Sequence, residues 1–278
     1  MDILPWFVLL CLALLLCTNN KFMPKEFGHI KEQDVEIVHI PDVNFKSYII
    51  KNFDKNKNGE IELSEIDTVT TISIVNLSPN LMIHSLEGIR YFTSLTKLRC
   101  MFQGLTDFDL SENTKLQELN CSCNYIETLN LANNKDLQII ECYDNQLSEL
   151  DLSENTRLKR LFCAQNHLTS LDVTKLPFLE YLNCSINELM YLDVSRNANL
   201  KWLSCDINRL TYIDVSNNPK LEGLSCSANL LIDGLSLAEN PALNFLDCLN
   251  NAKLTKISLR NGQKIGKLQK DDSAYLES

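Results

Sequence analysis

Eight cysteines recur along this chain at a fixed spacing, which constrains the fold more than any other feature. The interval is 21 residues, stretched to 22 only at the last step, through Cys100, Cys121, Cys142, Cys163, Cys184, Cys205, Cys226 and Cys248. A unit this short cannot bury its apolar face alone, so about eight copies are predicted to stack into a solenoid.

Each unit alternates apolar and polar residues around its cysteine, as in Leu119-Asn120-Cys121. Period-two alternation predicts a strand with the leucine and the cysteine pointing inward. Two columns of asparagine predict two bends, where amides satisfy buried backbone groups. The first column is Asn124, Asn145, Asn166, Asn187, Asn208 and Asn229, with Gln103 in the first unit; the second is Asn113, Asn134, Asn155, Asn197, Asn218 and Asn240, interrupted by Leu176.

This pattern resembles a leucine-rich repeat of the short bacterial type, similar to that of internalin J-like surface proteins and of leucine-rich-repeat lipoproteins from gut bacteria. The resemblance covers the repeats at 95–262, with an N-terminal cap at 39–94 and a C-terminal cap at 263–278. It implies an α/β-type repeat solenoid, a curved right-handed coil with a face of parallel strands. It also implies an interaction scaffold rather than an enzyme.

The segment before the repeats matches an EF-hand loop. Oxygen ligands at loop positions 1, 3, 5, 7 and 12 would encircle one Ca²⁺, with the backbone carbonyl of Glu60 at position 7. These ligands are Asp54, Asn56, Asn58, Glu60 and Glu65. Phe45, Ile49 and Phe53 predict an amphipathic helix entering the loop. The same run also forms a good turn without metal, as part of a helical cap over the first coil.

The N-terminus predicts export. Ile3 to Cys17 is an apolar run of 15 residues, the length of a signal-peptide core and short for a membrane span. We expect residues 1–17 to be a signal peptide and 18–38 a tether. Leu14-Leu-Leu-Cys17 also resembles a lipobox, which would make Cys17 a lipidated N-terminus and the only membrane attachment. The expected location is the cell surface or outer membrane, or alternatively the medium.

Charge and motif content exclude several functions. Thirty-six acidic against 26 basic residues give a net charge of −10, which argues against a nucleic-acid partner. With four histidines, eight glycines and no zinc, nucleophile-elbow, phosphate-loop or dinucleotide motif, the sequence does not predict an enzyme.

Two columns of reactive side chains are predicted to be structural. The ladder cysteines hold leucine-equivalent inward positions, where a thiol is a small buried hydrophobe, so we predict neither disulfides nor a metal site. Cys123 lies off the ladder and near the surface. For Asp109, Asp151, Asp172, Asp193 and Asp214 we favour local hydrogen bonding over a cation-binding stripe.

The predicted ligand surface consists of large aromatics that strands direct away from the core: Tyr143, Phe162, Tyr181, Trp202 and Phe245. Alternatively, these rings pack on one another as cross-strand neighbours. The sequence thus predicts a surface protein that binds a host or microbial macromolecule through its strands. The alternative is a receptor that captures glycans and carries a structural calcium ion.

Overall fold

In this computed structural model the described residues are 36–74, 79–260 and 263–277. The predicted signal segment 1–17, the predicted lipidation site Cys17 and the tether up to residue 35 lie outside the described residues. The described residues form one unit by their contacts.

The fold is built on a ten-stranded parallel sheet in which each strand pairs with the strand of the next coil. Neighbouring strands are joined in register at offsets of 21 residues in the central coils, as between Leu161 and Leu182. The predicted parallel solenoid is therefore confirmed. The strands are β1 Thr71–Ser73, β2 Lys97–Arg99, β3 Glu118–Asn120, β4 Ile139–Glu141, β5 Arg160–Phe162, β6 Tyr181–Asn183, β7 Trp202–Ser204, β8 Gly223–Ser225, β10 Phe245–Asp247 and β12 Lys267–Gln269.

The core runs along the inside of the coils as one continuous cluster. Strands β1 to β8 and β10 each contribute one buried apolar residue from the middle position, and the ladder cysteine that follows β2 to β8 and β10 is fully buried. A single coil cannot bury these inward residues by itself, so each coil depends on its neighbours for its stability.

Both asparagine columns hold the bends as predicted. In the first column, the Asn166 side-chain amide donates to the Cys142 and Cys163 carbonyl oxygens at 3.1 Å, and its oxygen accepts from the Leu147 amide at 3.0 Å. In the second, Asn155 donates to the Leu131 and Asn134 carbonyls. The residue before each first-column asparagine has a positive φ, including Ile186 and Ile207 at 55° and 51°. This left-handed residue was not predicted.

A helical cap covers the first coil. Helix α1, Val43–Phe53, buries Phe45 and Ile49, and the short helix α2 spans Leu63–Ile66. Asp42 caps α1 by accepting from the amides of Asn44 and Phe45. The Tyr48 hydroxyl exchanges hydrogen bonds with the Ser73 backbone, which occupies the outer edge of β1. Short 3-10 helices follow at Pro79–Leu81 and Ile89–Tyr91.

At the other end the coils form a second, three-stranded parallel sheet. Its strands are β9 Ile232–Ser236, β11 Lys253–Ser258 and β13 Tyr275–Glu277. Residues 263–277, expected to form a C-terminal cap, supply β12 to the large sheet and β13 to the small one. This segment therefore continues the solenoid by one coil.

Candidate functional site

The outward side of the ten-stranded sheet, called here the strand face, carries most of the predicted ligand-binding aromatics. Tyr181, Trp202 and Phe245 each open a strand, and the register aligns them in one row. The same row holds Lys97, Glu118 and Arg160 in earlier coils. Aromatic residues are therefore not a requirement of the coil at this position.

Trp202 reaches across one strand to stack on Phe245. The ring centroids lie 5.2 Å apart with an interplanar angle of 28°, although β8 lies between the two strands. Gly223 of β8 makes this possible, because a Cβ there would lie 2.4 Å from the indole carbons. The indole nitrogen donates to the Ser204 hydroxyl at 3.0 Å, which fixes the ring. Gly223 thus serves as the floor of an aromatic platform.

Cations from the chain itself flank the row. The Arg160 guanidinium lies 5.0 Å from the Tyr181 ring centroid, and the Lys267 ammonium lies 5.1 Å from that of Phe245. The aromatics therefore pack against their neighbours, as the alternative interpretation expects. Trp202 nevertheless remains 37% exposed, so part of the indole is open to a ligand.

The other two predicted ligand residues lie apart from this platform. Phe162 closes β5 and is half-buried. Tyr143 follows β4, where burial, Cys123 and Glu141 raise the pKa of its hydroxyl. In the described part of the chain, no ring contact joins either residue to Trp202 or Phe245. The structure therefore brings two of the five aromatics into direct ring contact.

A polar network beside the platform was missed by the sequence analysis. Asp206 accepts hydrogen bonds from the hydroxyls of Ser225 at 2.6 Å and Ser227 at 2.9 Å through one carboxylate oxygen, and from that of Ser185 at 3.2 Å through the other. The donors come from coils on both sides of Asp206. The sequence signal for this network is the serines that recur beside the ladder cysteines, at Ser185, Ser225 and Ser227.

The ladder cysteines hold the buried inward positions that the sequence predicts. Burial raises the pKa of Cys100, Cys142 and Cys184 to about 12, and raises those of the intervening thiols well above the usual value. A thiol held protonated in an apolar interior is neither a nucleophile nor a metal ligand. Cys123 is half-buried and off the ladder, as expected.

The aspartate column makes the predicted local hydrogen bonds. Asp151 accepts from the Ser153 amide at 2.9 Å, and Asp193 makes the same contact with Ser195. These bonds lower the pKa of both carboxyls. A groove of about 540 Å³ runs beside Asp151, Asp172 and Lys175. Within the described ranges, no three Asp, Glu, His or Cys side chains converge in a group that could hold a metal.

The EF-hand-like loop joins α1 to α2. Asp54 accepts from the amides of Lys57 and Gly59, while Glu65 is buried and accepts from those of Lys55, Asn56 and Glu62. The remaining predicted ligands bond locally: Asn56 accepts from the Asn58 amide, and Asn58 from the Glu60 amide. The Glu60 side chain pairs with Lys46 at 2.7 Å, which leaves only its backbone carbonyl for the loop. The five predicted ligand residues thus lie on one loop, and the carboxylates of Asp54 and Glu65 accept hydrogen bonds from backbone amides.

Comparisons with known proteins identify similar folds. No protein-family model matches the chain. The solved functional domain of internalin J from Listeria monocytogenes, described as including a cysteine ladder, is 33% identical and superposes with a TM-score of 0.71 over 79% of this chain. The chain has a leucine-rich-repeat fold and is similar to internalin J.

Other similarities agree with that fold. Listerial internalin J is 36% identical over 74 residues. Internalin C2 of the same species, 21% identical, gives a TM-score of 0.60 over 79% of this chain and 93% of that one. The present chain spans 50% of the solved internalin J domain and 8% of the full internalin J sequence. Among the described residues, no helix is long and apolar enough to span a bilayer.

Proposed function

We propose that this leucine-rich-repeat protein is a non-enzymatic, exported scaffold that binds a protein partner, of host or microbial origin, through its strand face. Solenoids of stacked repeats present extended binding surfaces, and their ligands are set by a few exposed side chains. The similarity to internalin J supports a binding role for this chain.

The observation that carries the proposal is the Trp202–Phe245 platform over Gly223. Other coils hold charged residues in the Trp202 row, so the fold alone does not select a tryptophan there. A large, rigid and partly exposed aromatic surface is typical of the anchors that dominate binding energy at protein interfaces. The neighbouring Asn183, Ser204 and Ser225 would supply hydrogen bonds around it.

A glycan ligand is the second candidate. An aromatic platform beside a hydroxyl-rich network around Asp206 is also suited to stacking and hydrogen bonding with a sugar ring. A protein-array screen run beside a glycan-array screen separates the two. Saturable binding in the glycan array alone would replace the first proposal with the second.

Export and lipid attachment rest on the N-terminal sequence. We propose that residues 1–17 direct export and that Cys17 receives the lipid anchor. Metabolic labelling with a radioactive fatty acid tests the anchor, because label should enter the parent protein and should be lost in Cys17→Ala. Label retained in Cys17→Ala, or a mature N-terminus elsewhere, would contradict it.

We also propose a structural calcium ion in the loop between α1 and α2. The helix–loop–helix arrangement and the five predicted oxygen ligands support it. The carboxylates of Asp54 and Glu65 would have to exchange some backbone donors for the ion. The expected affinity is that of extracellular modules, with a dissociation constant of about 10⁻⁴ to 10⁻³ M.

A further inference from the structure

One flank of the solenoid carries an apolar patch that lies apart from the strand face. Its members are exposed between 42 and 66% and are Ile186, Met190, Tyr191, Ile207, Tyr212, Leu230 and Ile232. They follow three successive strands, β6 to β8, on the stretch that passes through the first asparagine bend. We call these seven residues the lateral patch.

The patch is continuous across coils. Backbone hydrogen bonds join the three stretches directly, from the Ile186 amide to the Asp206 carbonyl, from the Arg209 amide to the Leu189 carbonyl and from the Ile232 amide to the Thr211 carbonyl. Residues 21 apart therefore lie on neighbouring coils, as Tyr191 and Tyr212 do. The seven side chains therefore lie on three adjacent, in-register coils along the same flank.

The fold itself does not require these residues to be apolar. In the two preceding coils the equivalent positions hold Asp144, Gln146, Ser148 and Glu149, and then Gln165, His167, Thr169 and Ser170. Those coils form the same strands and the same bends. Earlier coils expose single large side chains at these positions, Phe102 and Tyr125, but only the coils of β6 to β8 carry them in a cluster.

Two members of the patch are also conformationally costly. Ile186 and Ile207 have a positive φ, a region that side chains branched at Cβ rarely adopt. In the other coils this place is held by residues that are not branched at Cβ, and the left-handed conformation costs an L-residue about 1–2 kcal/mol. These residues are Phe102, Cys123, Asp144, Gln165, Ala228 and Asn250. The backbone cost is the same with or without a partner, but burial of the exposed isoleucine side chain under another surface is favourable.

We propose that the lateral patch is a self-association surface, covered by the same patch of a second copy of this chain. Tyrosine and methionine together with aliphatic side chains are the composition of homodimer interfaces. Seven such side chains, each about half exposed, offer an area of the order that a standard interface buries, about 800 Å² per partner.

The charge within the patch favours a second copy as the occupant. Glu188 and Arg209 form a salt bridge of 2.9 Å between the columns of apolar residues. A two-fold interface places each patch against itself, so Glu188 of either copy can face Arg209 of the other. A patch that carries one positive and one negative charge among apolar residues is therefore complementary to a second copy of itself.

This arrangement leaves the strand face open on both copies. The dimer then displays two ligand-binding faces, and a partner with repeated epitopes would gain avidity without any new contact. The inference stands independently of the proposed function, because the two surfaces share no residue.

Sedimentation velocity of the purified protein between about 1 and 100 μM tests the association. The parent protein should sediment as a dimer. The double variant Met190→Thr and Tyr191→Ser adopts the residues of the preceding coil and should weaken the dimer at least about 30-fold. Tyr125→Gln, which removes an exposed tyrosine outside the patch, should leave the dimer intact.

Charge reversal gives a second, independent test. Glu188→Arg and Arg209→Glu should each be monomeric, whereas their equimolar mixture should form dimers because both cross-interface pairs are restored. Circular dichroism melts confirm that each variant is folded. A monomeric parent protein would overturn the proposal by showing that something else covers the patch. Dimers that survive all patch substitutions would also overturn it, because association would then run through another part of the chain.

Discussion

Raising the pH should unfold this protein through its cysteine ladder. In the unfolded chain each thiol ionises with a pKa near 9.0, whereas in the folded chain burial raises the pKa of thiols such as Cys100 and Cys142 to about 12. A group with a raised folded pKa contributes stability that is fully present below its unfolded pKa. That stability is lost as the pH rises from about 9 towards 12, because only the unfolded state can release the proton.

The magnitude follows from the two pKa values. At pH 10 an unfolded thiol with a pKa of 9 gains about 1.4 kcal/mol by ionising, while a folded thiol gains almost nothing. Eight ladder thiols together lower the free energy of unfolding by about 11 kcal/mol, of the order of the whole stability of a domain. Mutual repulsion of thiolates in adjacent coils, as between Cys121 and Cys142, acts in the same direction.

The assay is urea denaturation followed by circular dichroism at pH 7, 8, 9 and 10 with a reducing agent present. Tyrosine and lysine also titrate at high pH, so the control is a variant in which four ladder cysteines, Cys142, Cys163, Cys184 and Cys205, are replaced by alanine. The control should lose about half of the pH-dependent fall that the ladder causes. An alkaline fall of equal size in parent and control would refute the reasoning.

The thiols, the loop between α1 and α2 and the asparagine bends can each be tested separately. After denaturation without reductant, all eight ladder cysteines should titrate as free thiols; several intramolecular disulfides in a mass spectrum would contradict their placement. Millimolar calcium should raise the thermal midpoint of the parent protein but not that of Glu65→Gln. Glu60→Gln should respond like the parent, because residue 60 offers the ion only its backbone carbonyl. No shift in the parent protein would favour a metal-free cap. Asn166→Ala removes three donated hydrogen bonds and should lower the free energy of unfolding, measured by urea denaturation, by about 3 kcal/mol. Asn155→Leu should lower it by less than half as much, because Leu176 already holds the equivalent bend in another coil. Equal losses would show that the two columns are equivalent.

The sequence predicts the backbone of this fold well because the period of the repeat and the period of a strand leave few alternatives. The inward position of Leu161 and Cys163 and the bend at Asn166 each follow from one local pattern repeated in every coil. The helix α1 likewise follows from the spacing of Phe45, Ile49 and Phe53.

The details of the surfaces were not predicted because they depend on neighbours in space rather than in sequence. Trp202 leans across Gly223 only because the adjacent coil lacks a Cβ at that point. The left-handed residue differs in type from coil to coil, so no pattern marks Ile186 or Ile207. The lateral patch becomes visible only when equivalent positions of successive coils are compared on the folded chain.

The central claim is that the strand face binds the partner, and affinity measured alongside stability tests it most directly. For the ligand identified by the array screens, Trp202→Ala and Gly223→Ala should each weaken binding, with the loss in Trp202→Ala at about 1–4 kcal/mol. Trp202→Ala removes the indole, and Gly223→Ala displaces it. The control variant Tyr125→Ala, on the flank, should bind like the parent protein. We predict that both platform variants keep the thermal midpoint within a few degrees of the parent value. Unchanged affinity together with a large fall in the midpoint would show that Trp202 serves packing, and would contradict the assignment of the binding site to this face.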